Sequence, residues 1–256
     1  MQPQPLFIIG APRSGTTFLC NALNRHRLIQ LTNESRMFVL LKEVMERCAV
    51  QPDLVGEEYQ QAFLSFMYRN AGGLVEQFYR ETLGFTAPIW GDKHPPYADP
   101  TVLSGRTGSQ PHLPLSGSCL PLIRALLPSA KFLHIQRAAE QVGQSLVRKG
   151  WTPSLSDGVN VWHQYIHEIE TFFSTMDARY HLTIAYDALL AAPEATVAAI
   201  GRFLSLPDWG EIEDFLIDQH TRPTPFSGPT TDLTMTYDGT DAGHPRRYAL
   251  SRETAR

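Results

Sequence analysis

One short stretch constrains this chain more than any other. Pro5-Leu6-Phe7-Ile8-Ile9-Gly10 is an unbroken apolar run closed by a glycine, and Ala11-Pro12-Arg13-Ser14-Gly15-Thr16-Thr17 follows before apolar residues resume. A run without polar alternation suits a strand buried on both faces, as in a parallel sheet. Phe18, Leu19, Ala22 and Leu23 then share one side of a helix expected from Thr16 to His26. A buried strand that hands over to a helix through a glycine-bearing loop begins a βα unit, and such units need neighbours of the same kind.

The rest of the chain supplies them. Leu28 to Thr32 reads as a short second strand, Pro88 to Asp92 as a third stopped by Pro95-Pro96, and Ala130 to Gln136 and His181 to Tyr186 as two more. Helices are expected from Ser35 to Cys48, between Glu57 and Leu83, from Ala138 to Lys149, and from Pro193 to Leu204 with proline at its first position. Val159, Trp162, Tyr165, Ile166, Ile169, Phe172, Phe173 and Met176 recur at helical spacing. Strands alternating with helices predict an α/β fold of three layers, a central mostly parallel sheet with helices on both faces. Residues 1–220 would form this domain. Ser104 to Gly117 reads as a long loop, and residues 221–256, rich in Thr, Gly and Pro, as an irregular C-terminal tail.

Composition narrows the class. With 43% hydrophobic and 19% charged residues, the chain is neither disordered throughout nor fibrous. A net charge of -4 argues against bulk capture of nucleic acid, yet leaves room for a small basic pocket. No apolar run approaches the roughly 18 residues of a membrane span. Cys20, Cys48 and Cys119 are too few, and odd in number, for a disulfide scaffold. The default expectation is a cytoplasmic-type protein.

The loop carries the chemistry. Where a strand meets a helix, consecutive N–H groups converge and the helix dipole adds partial positive charge, so an anion is favoured. Gly15 permits close approach, Thr16 and Thr17 add hydroxyl donors, and Arg13 adds a permanent cation with a planar fork. The spacing from Gly10 to Gly15 is that of the P-loop, G-x-x-x-x-G-K-[ST], but Thr16 stands where its lysine should be, which weakens an ATP or GTP reading. A second cation, Arg137, ends the Ala130–Gln136 strand on the side where open α/β sheets bind ligands, and Ser145 follows about two turns into the next helix. The plain alternatives are a junction whose glycines serve geometry alone, and a surface ion pair beside an ordinary helix serine.

Pro12-Arg13-Ser14-Gly15-Thr16-Thr17, together with the Arg137-x7-Ser145 pair, resembles the sulfotransferases that use 3'-phosphoadenosine 5'-phosphosulfate (PAPS). The arginine form of the loop is similar to the tyrosylprotein, carbohydrate and many bacterial branches. The resemblance runs from about Leu6 to Trp209 and implies a P-loop-like fold. It implies that Arg13, Ser14, Gly15, Thr16 and Thr17 hold the 5'-phosphosulfate, and Arg137 and Ser145 the 3'-phosphate. Lys149 and Tyr186 match further contacts of the tyrosylprotein branch. Ala138-Ala139 follows Arg137 where the family usually carries Asp-Pro or Asp-Gly.

The resemblance also implies a base. Glu34, in Thr32-Asn33-Glu34-Ser35-Arg36, looks like the catalytic glutamate of the tyrosylprotein branch; the plain alternative is helix capping. His94 is the rival, since cytosolic members use histidine. Lys93 and His94 are adjacent, however, and neighbours in an extended chain face opposite ways, so the two are not expected at one site. Gly91-Asp92-Lys93-His94-Pro95 resembles a Lys-x-Pro segment whose lysine stabilises the transferring group, a task shared here by Lys93 and Arg13. Asp92 would orient one of them or serve structure. The implied reaction is in-line sulfuryl transfer from PAPS, without a metal, to a hydroxyl or amine of a small-molecule, carbohydrate or peptide acceptor. A P-loop small-molecule kinase and a non-catalytic nucleotide-binding scaffold are the other readings. Asp187 reads as a cap or turn residue, and His163 and His167 as a half-exposed helix face. Ser227, Arg246 and Arg247 have no assigned role.

Overall fold

The computed structural model describes residues 2–50, 55–103, 117–221, 235–237 and 248–250. Strands β1 (Gln4–Ile9), β2 (Ile29–Asn33), β3 (Ile89–Lys93), β4 (Lys131–Gln136) and β5 (His181–Ala185) form one sheet in the order β2-β3-β1-β4-β5. Every neighbouring pair is parallel. The helices are α1 (Thr16–Leu23), α2 (Met37–Val50), α3 (Gln60–Gln77), α4 (Leu120–Leu126), α5 (Ala139–Arg148), α6 (Leu155–Phe173), α7 (Tyr186–Ala191), α8 (Pro193–Leu204) and α9 (Gly210–Thr221). Two three-residue strands, β6 (Met235–Tyr237) and β7 (Tyr248–Leu250), pair antiparallel. Residues 104–116 of the expected long loop, and Ser227, Arg246 and Arg247 of the expected tail, lie outside the described residues.

The alternation of side chains along β1 divides the core. Phe7 and Ile9 face one layer with Phe38 of α2, Val75 of α3, Ile123 of α4, Val142 of α5 and Ile169 of α6. Leu6 and Ile8 face the other with Leu19 and Leu23 of α1, Leu189 of α7, Ile200 of α8 and Ile212 of α9. This is the expected three-layer α/β arrangement. α4 and α7, too short to show a period, were not expected. Tyr186 was expected to end a strand; it opens α7, because the β4–β5 ladder stops at the Gln136–Ala185 pair.

Two features position the site. All five strands run the same way, so all their carboxyl ends lie on one edge. The chain leaves β1 toward β3 and β2 on one side and reaches β4 and β5 on the other, which opens a crevice between β1 and β4. Beside it, α5 and α6 cross glycine on glycine: a Cβ on Gly158 would lie 2.7 Å from the Gly143 Cα. That contact sets how close α5, which carries Ser145, lies to its neighbour.

One buried group makes stability depend on pH. His134 of β4 is 2% exposed and its Nδ1 lies 3.3 Å from the Thr183 hydroxyl. Burial lowers its pKa from 6.5 to about 4. Below pH 6.5 the unfolded chain therefore takes up a proton that the folded chain refuses until about pH 4, and stability is lost across that window.

Two outcomes follow in urea denaturation. Gly158→Ala should cost about 2 kcal/mol through overpacking. Gly73→Ala, where an added Cβ meets nothing within 4 Å, should leave the midpoint unchanged or raise it. Equal losses would contradict the packing account. His134→Gln should remove an acid-linked loss on the order of 3 kcal/mol between pH 7 and 4; an unchanged pH slope would show that His134 does not carry it.

Candidate functional site

The loop after β1 is shaped by what lies against it. A Cβ on Gly10 would sit 2.5 Å from the Ile135 carbonyl oxygen of β4, and one on Gly15 would sit 2.4 Å from the Tyr186 ring. Gly15 also has φ 98°, in the left-handed region that glycine occupies without strain. The Ser14 N–H donates to the Ala11 carbonyl at 3.1 Å, closing a tight turn, and the Leu19 N–H to the Gly15 carbonyl at 3.0 Å. The first N–H groups of α1 therefore precede its backbone ladder and point off the helix end. Ser14 Oγ is buried without a hydrogen-bond partner among the described residues. Arg13 is exposed, with φ 72°.

Arg13 Nε donates to Ser145 Oγ at 3.2 Å, so the two expected phosphate groups meet directly. Arg137 follows the last residue of β4. Its Nε donates to Gln141 Oε1 at 2.7 Å, and its guanidinium carbon lies 4.6 Å from the centre of the Tyr186 ring. The Trp162 indole donates to the Arg137 carbonyl at 2.9 Å, fixing the backbone there. Tyr186 thus touches the loop through Gly15 and faces Arg137 with its ring, a wall common to the loop and to that cation. Lys149 stands at the exposed C-terminal end of α5, one turn past Ser145. Asp187 is exposed in the first turn of α7, and His163 and His167 are exposed on α6.

The other half of the edge is acidic and basic at once. Ile8 of β1 pairs with Lys93 of β3, and Asn33 of β2 with the same lysine, so Glu34 emerges two strands over from the loop, with β3 between. Glu34 Oε1 lies 2.8 Å from Lys93 Nζ; Lys93 is almost wholly buried, while the Glu34 side chain is 34% exposed. His94 Nδ1 lies 3.9 Å from Glu34 Oε2. Lys93 and His94 therefore do reach one carboxylate, against expectation. His94 is still extended (φ -147°, ψ 99°) before the tight turn at Pro95–Ala98, but the Glu34 carboxylate stands past the end of β2 and presents Oε1 to Lys93 and Oε2 toward His94. Helix capping falls to Ser35, whose Oγ accepts from the Met37 N–H at 3.4 Å, while the Glu34 carboxylate turns to Lys93.

Beneath this pair lies Asp92, with no exposed surface. It accepts from Thr32 Oγ1 at 2.7 Å, Ser35 Oγ at 2.8 Å and Tyr97 OH at 2.7 Å, and from the N–H groups of Glu34 and Ser35 at 3.1 and 3.2 Å. Burial raises its pKa above the usual carboxylate value, and the hydrogen bonds from Thr32, Tyr97 and Ser35 pull the other way. Three of the four non-glycine residues with left-handed φ among the described residues, Arg13, Glu34 and Arg36, belong to this edge. Backbone strain of this kind collects where structure serves function. The contributions of Tyr97, of Trp162 and of Tyr79, whose OH lies 3.1 Å from Ser35 Oγ, were missed. Gln141 carried a signal, standing four residues after Arg137 at helical spacing.

Chemically, the edge offers a glycine-lined cradle at a helix start, two guanidinium groups of which that of Arg137 lies on a tyrosine ring, and a carboxylate held by a buried lysine. That donor set fits a ligand with two anionic ends. No group of three His, Cys, Asp or Glu among the described residues is placed to hold a metal ion.

The comparisons agree with this fold. Two solved structures share the fold: a sulfotransferase domain from the curacin biosynthetic pathway and one from the olefin synthase of Synechococcus PCC 7002. Each is 19% identical, covers 82% of this chain and 76% of its own, and superimposes with a TM-score of 0.57. No curated protein matches at significance. Residues 5–211, a span that begins with β1 and takes in every site residue named above, match the sulfotransferase family model, and the chain belongs to the sulfotransferase family.

Proposed function

We propose that the protein transfers a sulfuryl group from PAPS to a hydroxyl or amine acceptor by in-line displacement. The observation that carries this reading is the contact between the two loops: Arg13, after β1, donates to Ser145 of α5, which follows the adjacent strand β4, and the Tyr186 ring lies against both Gly15 and the Arg137 guanidinium. Two anion sites that close to one another suit the two phosphate-bearing ends of one adenosine nucleotide. When bound, the donor supplies a phosphosulfate anhydride whose sulfur accepts the incoming atom.

Each residue then has a task. Ser14, Gly15, Thr16 and Thr17 offer N–H and hydroxyl donors at the helix start to the phosphosulfate end. Arg13 adds a fixed cation where charge grows on the bridging oxygen as its bond to sulfur breaks. Arg137 and Ser145 hold the second phosphate, with Tyr186 as a side wall and Lys149 as an outer cation. Glu34 accepts the acceptor's proton as the new bond to sulfur forms. Lys93, buried and held against Glu34, brings a second positive charge to the transferring group without a metal ion. His94 Nδ1, 3.9 Å from the same carboxylate, is too far to hydrogen-bond it and takes no part in the proton transfer. The acceptor would be a small molecule, a carbohydrate or a peptide.

Thermal shift separates donor classes. Adenosine 3',5'-bisphosphate should stabilise the protein, and Arg137→Ala should weaken that binding by about tenfold or more. Stabilisation by ATP with magnesium alone would favour a kinase. In a screen of acceptors with labelled PAPS, Glu34→Gln should lose turnover by about a hundredfold or more while its bisphosphate affinity holds. Full activity in that variant would remove Glu34 as the base.

A further inference from the structure

Asp92 has no role in the reaction set out above, yet it organises the ground on which Glu34 stands. Its Oδ1 accepts from three donors, Thr32 Oγ1 and the consecutive N–H groups of Glu34 and Ser35. Its Oδ2 accepts from Ser35 Oγ and Tyr97 OH, so neither oxygen is left to swing. Every contact is a donor, the arrangement a buried carboxylate needs.

The two backbone contacts set this carboxylate apart from an ordinary buried hub. Thr32 and Tyr97 would tie β2 and the Pro95–Ala98 turn to β3 whatever the chain did between them. The amides of Glu34 and Ser35 converge on one oxygen only because the corner is wound left-handed, with φ 71° at Glu34 and 62° at Arg36. Side chains other than glycine resist that conformation. Successive N–H groups in such a corner form a concavity that holds an anion, and here the anion is the protein's own carboxylate. The Glu34 N–H is shared with the Lys93 carbonyl at 2.8 Å, so the corner is pinned to β3 at two points. Those pins set the direction of the Glu34 side chain, whose carboxylate then reaches Lys93 Nζ at 2.8 Å.

We propose that Asp92 is a positioning residue: by holding the amides of Glu34 and Ser35 it fixes the left-handed corner that aims the Glu34 carboxylate at Lys93 and the reacting centre. This rests on the reading of Glu34 as the base. A role confined to folding would stabilise the domain without acting through Glu34, and the two differ in what they predict for a double variant.

The test uses the full chain and labelled PAPS, with sulfate release to water as the readout common to all variants. Asp92→Asn keeps the shape and removes the charge. Hydrogen exchange at the Glu34 and Ser35 amides should quicken, and kcat should fall by about tenfold or more while the donor KM stays within about twofold. In a Glu34→Gln background the same substitution should cost little further, because both changes act through one group. Tyr97→Phe, which removes one of the five donors and keeps the ring, should lose less in the same direction, and it carries the test if Asp92→Asn does not fold. An equal loss in both backgrounds, a loss with exchange unchanged at the two amides, or wild-type kcat in the folded variant would overturn the proposal. Wild-type turnover in Glu34→Gln alone would instead overturn the base assignment, and the positioning role with it.

Discussion

The pairing of β1 with β4 is the constraint on which the site depends. It brings two strands that are distant in sequence side by side at the point where strand order reverses, and it places their following loops on one edge. The fit is close enough that Gly10 touches the Ile135 carbonyl and Gly15 touches Tyr186, so neither position accepts a side chain without moving the crevice. Everything assigned to the donor except Tyr186, which opens the helix after β5, stands on loops or helices that start there. The second pairing, β1 with β3, then brings Lys93 and Glu34 to the same edge.

The site also concentrates costs that the rest of the fold avoids. Lys93 and Asp92 are buried neighbours of opposite charge, yet each finds its partner elsewhere, Lys93 in Glu34 and Asp92 in five donors. Removing one member of such an arrangement leaves a charge without compensation, so substitution at these positions is expected to be costly. Left-handed backbone at Arg13, Glu34 and Arg36 adds strain that the surrounding hydrogen bonds offset. A domain selected for stability alone would place glycines at these corners.

What could be read from the sequence was whatever is local. The apolar run of β1, the glycines of its loop, and the cation ending β4 each announce themselves within a few residues, and the strand–helix alternation carried the layer architecture. Glu34 could be picked out only through the resemblance of its short context. The rest depends on contacts between distant segments. Asp92 meets Thr32 and Ser35 across some 60 positions, and no pattern in either segment marks the pairing. His94 was misplaced because the alternation rule does not foresee a carboxylate from beyond β2 whose two oxygens face Lys93 and His94. Tyr186 was expected to end a strand and instead opens α7, and its place between Gly15 and Arg137 is visible only once β5 lies beside β4. Short helices such as α4 and α7 lack the turns needed to show a period.

The central claim is that a single nucleotide spans the crevice between β1 and β4. A crystal structure of the protein with adenosine 3',5'-bisphosphate tests it most directly. The account requires the 5'-phosphate in the cradle between Gly10 and Thr17 and the 3'-phosphate against Arg137 and Ser145, with the Arg13–Ser145 contact opened or shared. A bisphosphate bound away from this edge, or anchored at one of the two arginines with its other phosphate in solvent, would contradict it.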